Sequence, residues 1–171
     1  KVDAGPVLAQ RKLIIQEDDT TKILHDKLAN LGAELLTEIL PKYLAGEIKP
    51  VPQNDSKATY TEKIKRENGA IDWSKTAFEI KRQFQAFYPW PGIFSHLDGK
   101  RLKIANLGVL EGNLGANLAP GTLFLVTKDK LAVKCGQGAV ELKIVQLEGK
   151  KEISGKEFLR GRKDLLGRIL K

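Results

Sequence analysis

A rigid corner at residues 87–92 (Phe-Tyr-Pro-Trp-Pro-Gly) constrains the fold of this chain more than any other short segment. Pro89 and Pro91 flank Trp90, and each proline fixes its own φ at about −65°, so a helix must end before Tyr88. A large flat side chain held between two prolines is typical of a core anchor. We therefore predict a structural role in the core for Trp90 and for the second tryptophan, Trp73.

The spacing of apolar residues changes at this corner. Between Thr76 and Phe87 it is helical, and beyond the corner it becomes short and β-rich or alternating. Turn sequences containing Gly, Asn and Asp separate five such runs, at residues 92–96, 100–110, 121–127, 130–135 and 139–147. Five or six antiparallel strands with a helix across one end predict a small β-barrel like the oligonucleotide-binding (OB) barrel. Ser154 and Glu157 have the spacing of a capping box, which indicates another helix start.

The first 48 residues follow a different pattern. Residues 7–16 are β-rich and predict one strand or two short ones. Capping side chains at residues 18–20 precede apolar residues at helical spacing from 23 to 40, which predicts a helix with one buried face. Pro41 is expected to kink or restart this helix, and Gly46 to close the segment.

A polar segment that contains prolines, residues 49–75, separates these two patterns and reads as a linker. Within it, Thr59 and Glu62 have capping-box spacing and indicate a possible helix start. The predicted organisation is therefore a first segment over 1–48, a linker over 49–75 and a barrel domain over 76–171. The fold class is α+β.

Charge is unevenly distributed along the chain. The formal net charge is +8, with −1 over residues 1–50 and +9 over residues 51–171. A basic module favours a polyanionic partner through phosphate neutralisation and counterion release, although lysines solvated at a surface explain the same composition. No apolar run approaches the roughly 18 residues of a membrane span, and the single Cys135 has no disulfide partner in the chain, so we expect a soluble protein in a reducing compartment.

Few residues here suit metal or nucleophilic chemistry. His25 and His96 are far apart in sequence and have no ligand spacing with Cys135, so no zinc site is expected. Cys135 lacks a nearby His or Asp in sequence and is predicted to be a small strand hydrophobe. No Gly-rich phosphate loop of either common pattern occurs, so no nucleotide cofactor is predicted.

Several short sequence motifs, taken in order, resemble the C-terminal part of the methionyl-tRNA formyltransferase family. They are VDAGPVLAQ from Val2, HDKLANLGAELL, ATYTEKI, NGAIDW, FYPWPGIFSHLDGKRLKI and APGTLFLV, and they extend over nearly the whole chain. Sugar-nucleotide formyltransferases and the folate-binding part of formyltetrahydrofolate dehydrogenase carry similar IDW and PWPG motifs. The sequence on either side of these motifs is more similar to the tRNA enzymes.

The resemblance implies that residues 1–48 are the terminal strand and helix of a Rossmann-like formyltransferase domain. It also implies that the folate loop and the Asn-x-His pair lie upstream of this chain, which starts at Lys1 and has no Met. Asp3 matches the third catalytic residue, which assists proton transfer while the amine attacks the formyl group of 10-formyltetrahydrofolate. Gly5 would let the loop approach folate. By itself such a segment is expected to have no turnover.

Three basic groups are candidates for contact with the initiator tRNA of that family. The first lies just before the IDW motif, the second on the helix and strands around the Pro corner, and the third along a C-terminal helix interrupted by Gly161. Their members are Lys63, Lys65 and Arg66; Lys81, Arg82, Arg101 and Lys103; and Arg160, Arg162 and Lys163. Tyr60, Phe94 and Phe124 are candidates for base stacking.

Two alternatives remain open. A C-terminal part of a sugar-nucleotide formyltransferase would show little tRNA affinity. A non-catalytic packing module would use Trp90 and its neighbours against a partner domain, and the helix from Thr20 to Leu40 would then be unstable or self-associating in isolation. The family resemblance further implies a bacterial cytoplasmic or organellar setting, and a monomer for the complete enzyme.

Overall fold

The structure is a computed structural model that describes residues 3–160 and 162–171, without the side chain of Lys163. The chain divides into two compact units, one ending at Lys63 and the other beginning at Ile64. The second unit contains every strand described below.

The first unit contains one long helix. Helix α1 spans Thr21–Leu44 and begins at the N-cap Thr20, whose Oγ1 accepts a hydrogen bond from the backbone N–H of Ile23 at 3.3 Å. Pro41 lies inside α1 and does not end it. The capping prediction is therefore confirmed. The expected restart at Pro41 does not occur, because α1 continues through this residue to Leu44.

The predicted strand and the predicted buried face of α1 are both wrong for this unit. Over residues 7–16 the backbone makes a single antiparallel bridge, between Val7 and Val51. Helix α1 has no buried residue, because the described part of this unit offers no sheet against which its apolar side chains can pack. The capping-box spacing at Thr59 also starts no helix, since the segment that follows is polar and lacks a helical apolar repeat.

The second unit follows the predicted elements closely. Helix α2 spans Ala77–Phe87, and a shorter helix α3 spans Gly155–Leu159; both begin with the predicted capping boxes. The strands are β1 (Ile93–Leu97), β2 (Lys100–Leu110), β3 (Leu123–Thr127), β4 (Lys130–Lys134), β5 (Ala139–Leu147) and β6 (Ile153–Ser154). Short 3-10 helices lie at Asp55–Lys57 in the first unit and at Arg66–Gly69 and Lys163–Leu165 in the second.

The strands form one antiparallel sheet in the order β1-β2-β5-β4-β3, with β6 added to β5. The predicted closed barrel is not confirmed, because the sheet is open and β1 and β3 are its edges. The C-terminal residues cover both edges instead. The N–H of Leu123 in β3 donates to the carbonyl of Arg168 at 2.8 Å, and the N–H of Lys171 donates to the carbonyl of His96 in β1 at 3.0 Å.

One hydrophobic core lies between the sheet and α2. Trp73 and Ile71 join it from the segment before α2, and Phe158 joins it from α3. The tight turn between β1 and β2 has positive φ at both Asp98 and Gly99, as a type I′ hairpin turn requires. No helix within residues 3–160 and 162–171 combines the length and the hydropathy needed to cross a membrane.

Candidate nucleic-acid interface

The Pro corner places Trp90 at the surface. The N–H of Gly92 donates to the carbonyl of Phe87 at 2.9 Å, so the four residues between them form a loop that leaves the end of α2 and returns to β1. Trp90 is 55% exposed on this loop. The prediction of a core anchor is wrong for Trp90, whose side chain is largely exposed, and it is confirmed for Trp73, which is 5% exposed.

Three basic side chains from two segments meet beside Trp90. Arg66 from the first turn of its 3-10 helix, and Arg101 and Lys103 from β2, line an open cleft of about 440 Å³ together with Trp90. We call this the Trp90 cleft; its other lining residues are Pro89, Pro91, Gln146, Leu147, Glu148 and Gly149. Strand alternation explains part of this arrangement, since Arg101 and Lys103 alternate with the buried Leu102.

Neighbouring side chains hold the cleft's cations in place. The guanidinium of Arg101 lies 3.7 Å from the centroid of the Phe94 ring, a cation–π contact. Nζ of Lys103 lies 3.4 Å from a carboxylate oxygen of Glu152. A basic cleft beside an exposed indole supplies the two components of single-strand nucleic-acid binding, phosphate contact and base stacking.

The three aromatic residues considered for stacking do not line this cleft. Phe94 is buried and lies beneath Arg101, so it supports the cation and does not offer a free face. Phe124 is half-buried on β3, and Tyr60 belongs to the first unit. Trp90 was predicted to be a core anchor, and was placed at a surface only in the packing-module alternative, because two flanking prolines indicate rigidity and do not indicate which way a loop points.

The structure divides the first predicted basic group. Lys63 is the last residue of the first unit, and Lys65 and Arg66 belong to the second. The backbone N–H of Lys65 donates to Oδ1 of Asn68 at 2.7 Å, which starts the 3-10 helix that carries Arg66. Within the described residues, Arg66 is the member of this group that lines the Trp90 cleft.

The second group is also divided. Arg101 and Lys103 line the cleft, whereas Lys81 and Arg82 lie on α2 and are absent from its lining. Arg82 is exposed and Lys81 is half-buried. Arg101 and Lys103, two residues apart on β2, therefore line the same cleft, and the two helix residues do not line it.

The third group lies beyond α3 and not along it. The predicted longer helix is wrong, because the backbone of Arg160 is already extended (ψ 126°) and α3 ends at Leu159. The guanidinium of Arg162 lies 5.3 Å from the Phe158 ring centroid. Gly161 and the side chain of Lys163 lie outside the described residues.

The candidate catalytic residues are in the first unit. Asp3 is exposed with φ 60°, and Nε2 of Gln53 donates to the carbonyls of Asp3 and Gly5 at 3.1 and 2.7 Å. Asp3 lines a cleft of about 950 Å³ with residues 7–10 and 51–55, among others. Among the described residues, no His lines this cleft, and no cluster of His, Cys, Asp and Glu suits a metal ion.

Cys135 is buried as predicted, but it lies one residue beyond the end of β4 and not within a strand. It is buried and free, and burial raises the pKa of its thiol to about 12. The thiol is therefore protonated at neutral pH and is a poor nucleophile. It packs as a small apolar side chain in the core.

Comparison with known protein families agrees with this domain structure. The formyl transferase C-terminal domain family matches residues 63–163, from the last residue of the first unit into the final 3-10 helix. The chain belongs to the formyltransferase family.

Relatives of this formyltransferase chain match it along almost its full length. Methionyl-tRNA formyltransferase from Caldanaerobacter subterraneus subsp. tengcongensis is 43% identical over 170 residues, which cover 99% of this chain and 54% of the relative. The Myxococcus xanthus methionyl-tRNA formyltransferase is 42% identical over 162 residues, 95% of this chain and 51% of the relative. The chain thus spans about half the length of the curated relatives it matches.

Two solved structures share the fold of this chain. HypX from Aquifex aeolicus in complex with tetrahydrofolic acid superimposes with a TM-score of 0.66 and 21% identity, over 92% of this chain and 28% of HypX. An N-formyltransferase from Helicobacter canadensis in complex with folinic acid and dTDP-3-aminofucose gives a TM-score of 0.58 and 17% identity, over 90% of this chain and 52% of that enzyme.

Proposed function

We propose that this chain is the part of a methionyl-tRNA formyltransferase that holds the initiator tRNA. The complete enzyme would transfer a formyl group from 10-formyltetrahydrofolate to the amino group of methionyl-tRNA. Relatives of that name match nearly the whole chain. The observation that carries the proposal is the meeting of Arg66, Arg101 and Lys103 beside the exposed Trp90. An open basic cleft with an indole fits the phosphates and unpaired bases of a tRNA end.

The remaining predicted cations have a second role in this proposal. They would contact further phosphates of the tRNA; these residues are Lys63, Lys65, Lys81, Arg82, Arg160, Arg162 and Lys163. Arg160 and Arg162 offer forked contacts and the lysines point-charge ones, so the arginines are expected to contribute more to tRNA binding per residue.

Asp3 would supply the carboxylate that assists proton transfer as the amine attacks the formyl carbon. Gly5 would lie where folate approaches. A Cβ built on Gly5 meets no atom within 4 Å, and Asp3 is exposed, so both residues fit the open edge of a larger site. One carboxylate without further catalytic groups does not run the reaction, so we expect no formylation by this chain alone.

The domain organisation follows the same proposal. Residues 1–48 would complete the catalytic domain, residues 49–75 would tether it, and residues 76–171 would bind tRNA. The complete enzyme would act as a monomer in a bacterial cytosol or an organelle.

Binding of labelled initiator tRNA by fluorescence anisotropy, at about 50 and 200 mM salt, tests the proposal. We expect tight binding at low salt that weakens steeply as salt rises. The double variant Arg101→Ala and Lys103→Ala should bind more weakly, whereas Lys128→Ala with Lys143→Ala, which removes the same charge from exposed strand and turn positions, should bind nearly as the parent does. Absence of tRNA binding at low salt would contradict the proposal, and binding of a dTDP-sugar in its place would favour a sugar-nucleotide enzyme.

One observation favours the packing-module alternative for the first unit. Helix α1 buries no residue, and Ile23, Leu28, Leu36 and Leu40 are 42–61% exposed on it. An uncovered apolar face of this kind is typical of a surface that meets another domain or chain. Sedimentation of the purified chain tests this: concentration-dependent self-association that Leu36→Lys abolishes would support it, and a monodisperse monomer would count against it.

A further inference from the structure

The segment that carries Arg66 to the Trp90 cleft has little support of its own. It is a 3-10 helix of four residues, Arg66–Gly69, in which only Gly69 is buried. The backbone hydrogen bonds of so short a helix do not make it stable by themselves, because fixing the first turn costs more conformational entropy than its bonds return. The position of Arg66 therefore depends on how the rest of the second unit holds this segment.

Two contacts join the end of this 3-10 helix to the Pro corner and to β1. A Cβ built on Gly69 would overlap the carbonyl oxygen of Gly92 and lie 3.4 Å from a ring carbon of Phe94. Two residues further along the chain, the N–H of Ile71 donates to the carbonyl of Phe94 at 2.9 Å. The absence of a side chain at Gly69 thus allows the two backbones to touch.

A side chain of α2 supplies the third attachment. Nε2 of Gln83 donates to the carbonyls of Asn68 and Ala70, both at 3.0 Å. A glutamine amide nitrogen carries two N–H groups, one for each of these carbonyls. Asn68 and Ala70 lie on either side of Gly69, and Gln83 is half-buried, so its amide holds the end of the 3-10 helix against α2.

Gln83 is outside the cleft, and its effect is specific to one cation. Among the described residues, those that line the Trp90 cleft include Arg66 and exclude Gln83. The other two cleft cations, Arg101 and Lys103, belong to β2, which pairs with β1 on one side and with β5 on the other. Arg66 lies outside the strands, so its position depends on the attachments of the 3-10 helix.

We infer that Gln83 is a positioning residue for Arg66 in nucleic-acid binding. The inference rests on the proposed function of the Trp90 cleft and adds to it a residue that does not touch the ligand. Without the amide, the carbonyls of Asn68 and Ala70 would bond to water, since both residues are exposed. Arg66 would then be less ordered before binding, and ordering it in the complex would reduce the affinity.

A double-mutant cycle between Gln83 and Arg66 tests the inference. Gln83→Met keeps an unbranched side chain and removes both donors, and Gln85→Met makes the same change about 200° around the helix. Anisotropy with a labelled single-stranded RNA gives the affinity of each variant as a function of salt. We expect Gln83→Met to weaken binding about threefold or more. It should also lower the slope of log K against log salt by up to about 0.7, the value for one phosphate of a single strand. Gln85→Met should bind as the parent does.

The background without Arg66 separates positioning from a general effect on the fold. In Arg66→Ala, Gln83→Met should change neither the affinity nor the slope further, because the cation that it positions is gone. An equal effect of Gln83→Met in both backgrounds, or no effect in either, would overturn the inference and leave the proposed function standing. Absence of RNA binding by the parent at low salt would overturn both. Circular-dichroism melting curves of all variants show whether each one is folded at the temperature of the binding measurement.

Discussion

The indole N–H of Trp73 donates a hydrogen bond to the hydroxyl of Ser95 at 2.9 Å, inside the core. The same hydroxyl donates to the carbonyl of Lys171 at 2.8 Å. Three distant segments, the one before α2, strand β1 and the C-terminal residues, therefore meet at one side chain. This contact helps the C-terminal segment to cover the β1 edge that the open sheet leaves unpaired.

Replacing Trp73 by Phe should destabilise the second unit. The change removes the hydrogen bond, leaves Ser95 with one partner fewer and leaves a gap, and we expect a loss of about 1–3 kcal/mol in the free energy of unfolding. Urea unfolding followed by circular dichroism measures it. Trp90→Phe is the matched control and should change stability by less than about 0.5 kcal/mol, because Trp90 is at the surface. Equal losses in both variants would contradict the assignment of Trp73 to the core and Trp90 to the surface.

Trp90→Ala should weaken binding of single-stranded RNA by about 1–3 kcal/mol if the indole stacks on a base. Trp90→Phe keeps a flat ring and should retain part of the affinity. Anisotropy with a labelled oligonucleotide that copies a tRNA acceptor end measures both variants. Unchanged affinity in Trp90→Ala would exclude stacking at this residue and would favour Trp90 as a contact for another protein surface.

Arg101→Ala should reduce the salt dependence of tRNA binding as well as the affinity. Loss of one phosphate contact lowers the slope of log K against log salt by about 0.7–0.9. Arg101→Lys keeps the charge but loses the planar contact with Phe94 at 3.7 Å, so it should retain most of the slope and lose some affinity. A slope that is the same in the parent and in Arg101→Ala would show that Arg101 touches no phosphate.

Gly136→Ala should destabilise the second unit by about 1–3 kcal/mol. A Cβ at Gly136 would overlap the carbonyl of Ser74, and the N–H of Gly136 is fixed by bonds to the carbonyls of Trp73 and Lys75, both at 2.9 Å. Gly32→Ala is the contrasting change, because a Cβ there meets nothing within 4 Å and lies in α1, where alanine favours the helix by about 0.5–1 kcal/mol. Thermal unfolding should show a lower melting temperature for Gly136→Ala and a higher one for Gly32→Ala. An unchanged melting temperature in Gly136→Ala would contradict the close approach of Gly136 to the Ser74 carbonyl.

Stability should fall as the pH drops below the ordinary range of a glutamate. Hydrogen bonds from the Thr76 backbone and side chain lower the pKa of Glu79, and those from the Ser154 side chain and backbone lower the pKa of Glu157. A carboxylate whose pKa is lower in the folded state stabilises the fold at pH values above its unfolded pKa, here 4.5, and loses that contribution as the pH falls through the folded value. Urea midpoints between pH 7 and pH 3 should therefore decline less steeply in Glu79→Gln than in the parent. Equal slopes of urea midpoint against pH in the parent and in Glu79→Gln would show that the protonation of Glu79 is not linked to folding.

Local sequence signals predicted most of the second unit because its elements are locally specified. The capping boxes at Thr76 and Ser154, the Asp98–Gly99 turn and the alternation in β2 each depend on residues a few positions apart. The first unit was harder to predict. Its apolar helix face can be buried, and its β-rich start can pair as a strand, only where a sheet is present. The described part of that unit contains no sheet.

The amino-acid sequence by itself determined the helix before the Pro corner, the five main strands after it, the buried Cys135 and the family, since each depends on local chemistry or on matching words. Tertiary structure alone decided the open sheet with the C-terminal residues on its edges, the exposure of Trp90, and which cations share the Trp90 cleft. It also decided that Lys134 is 8% exposed. Direction and proximity across segments distant in sequence depend on packing, and no local pattern of residues encodes them.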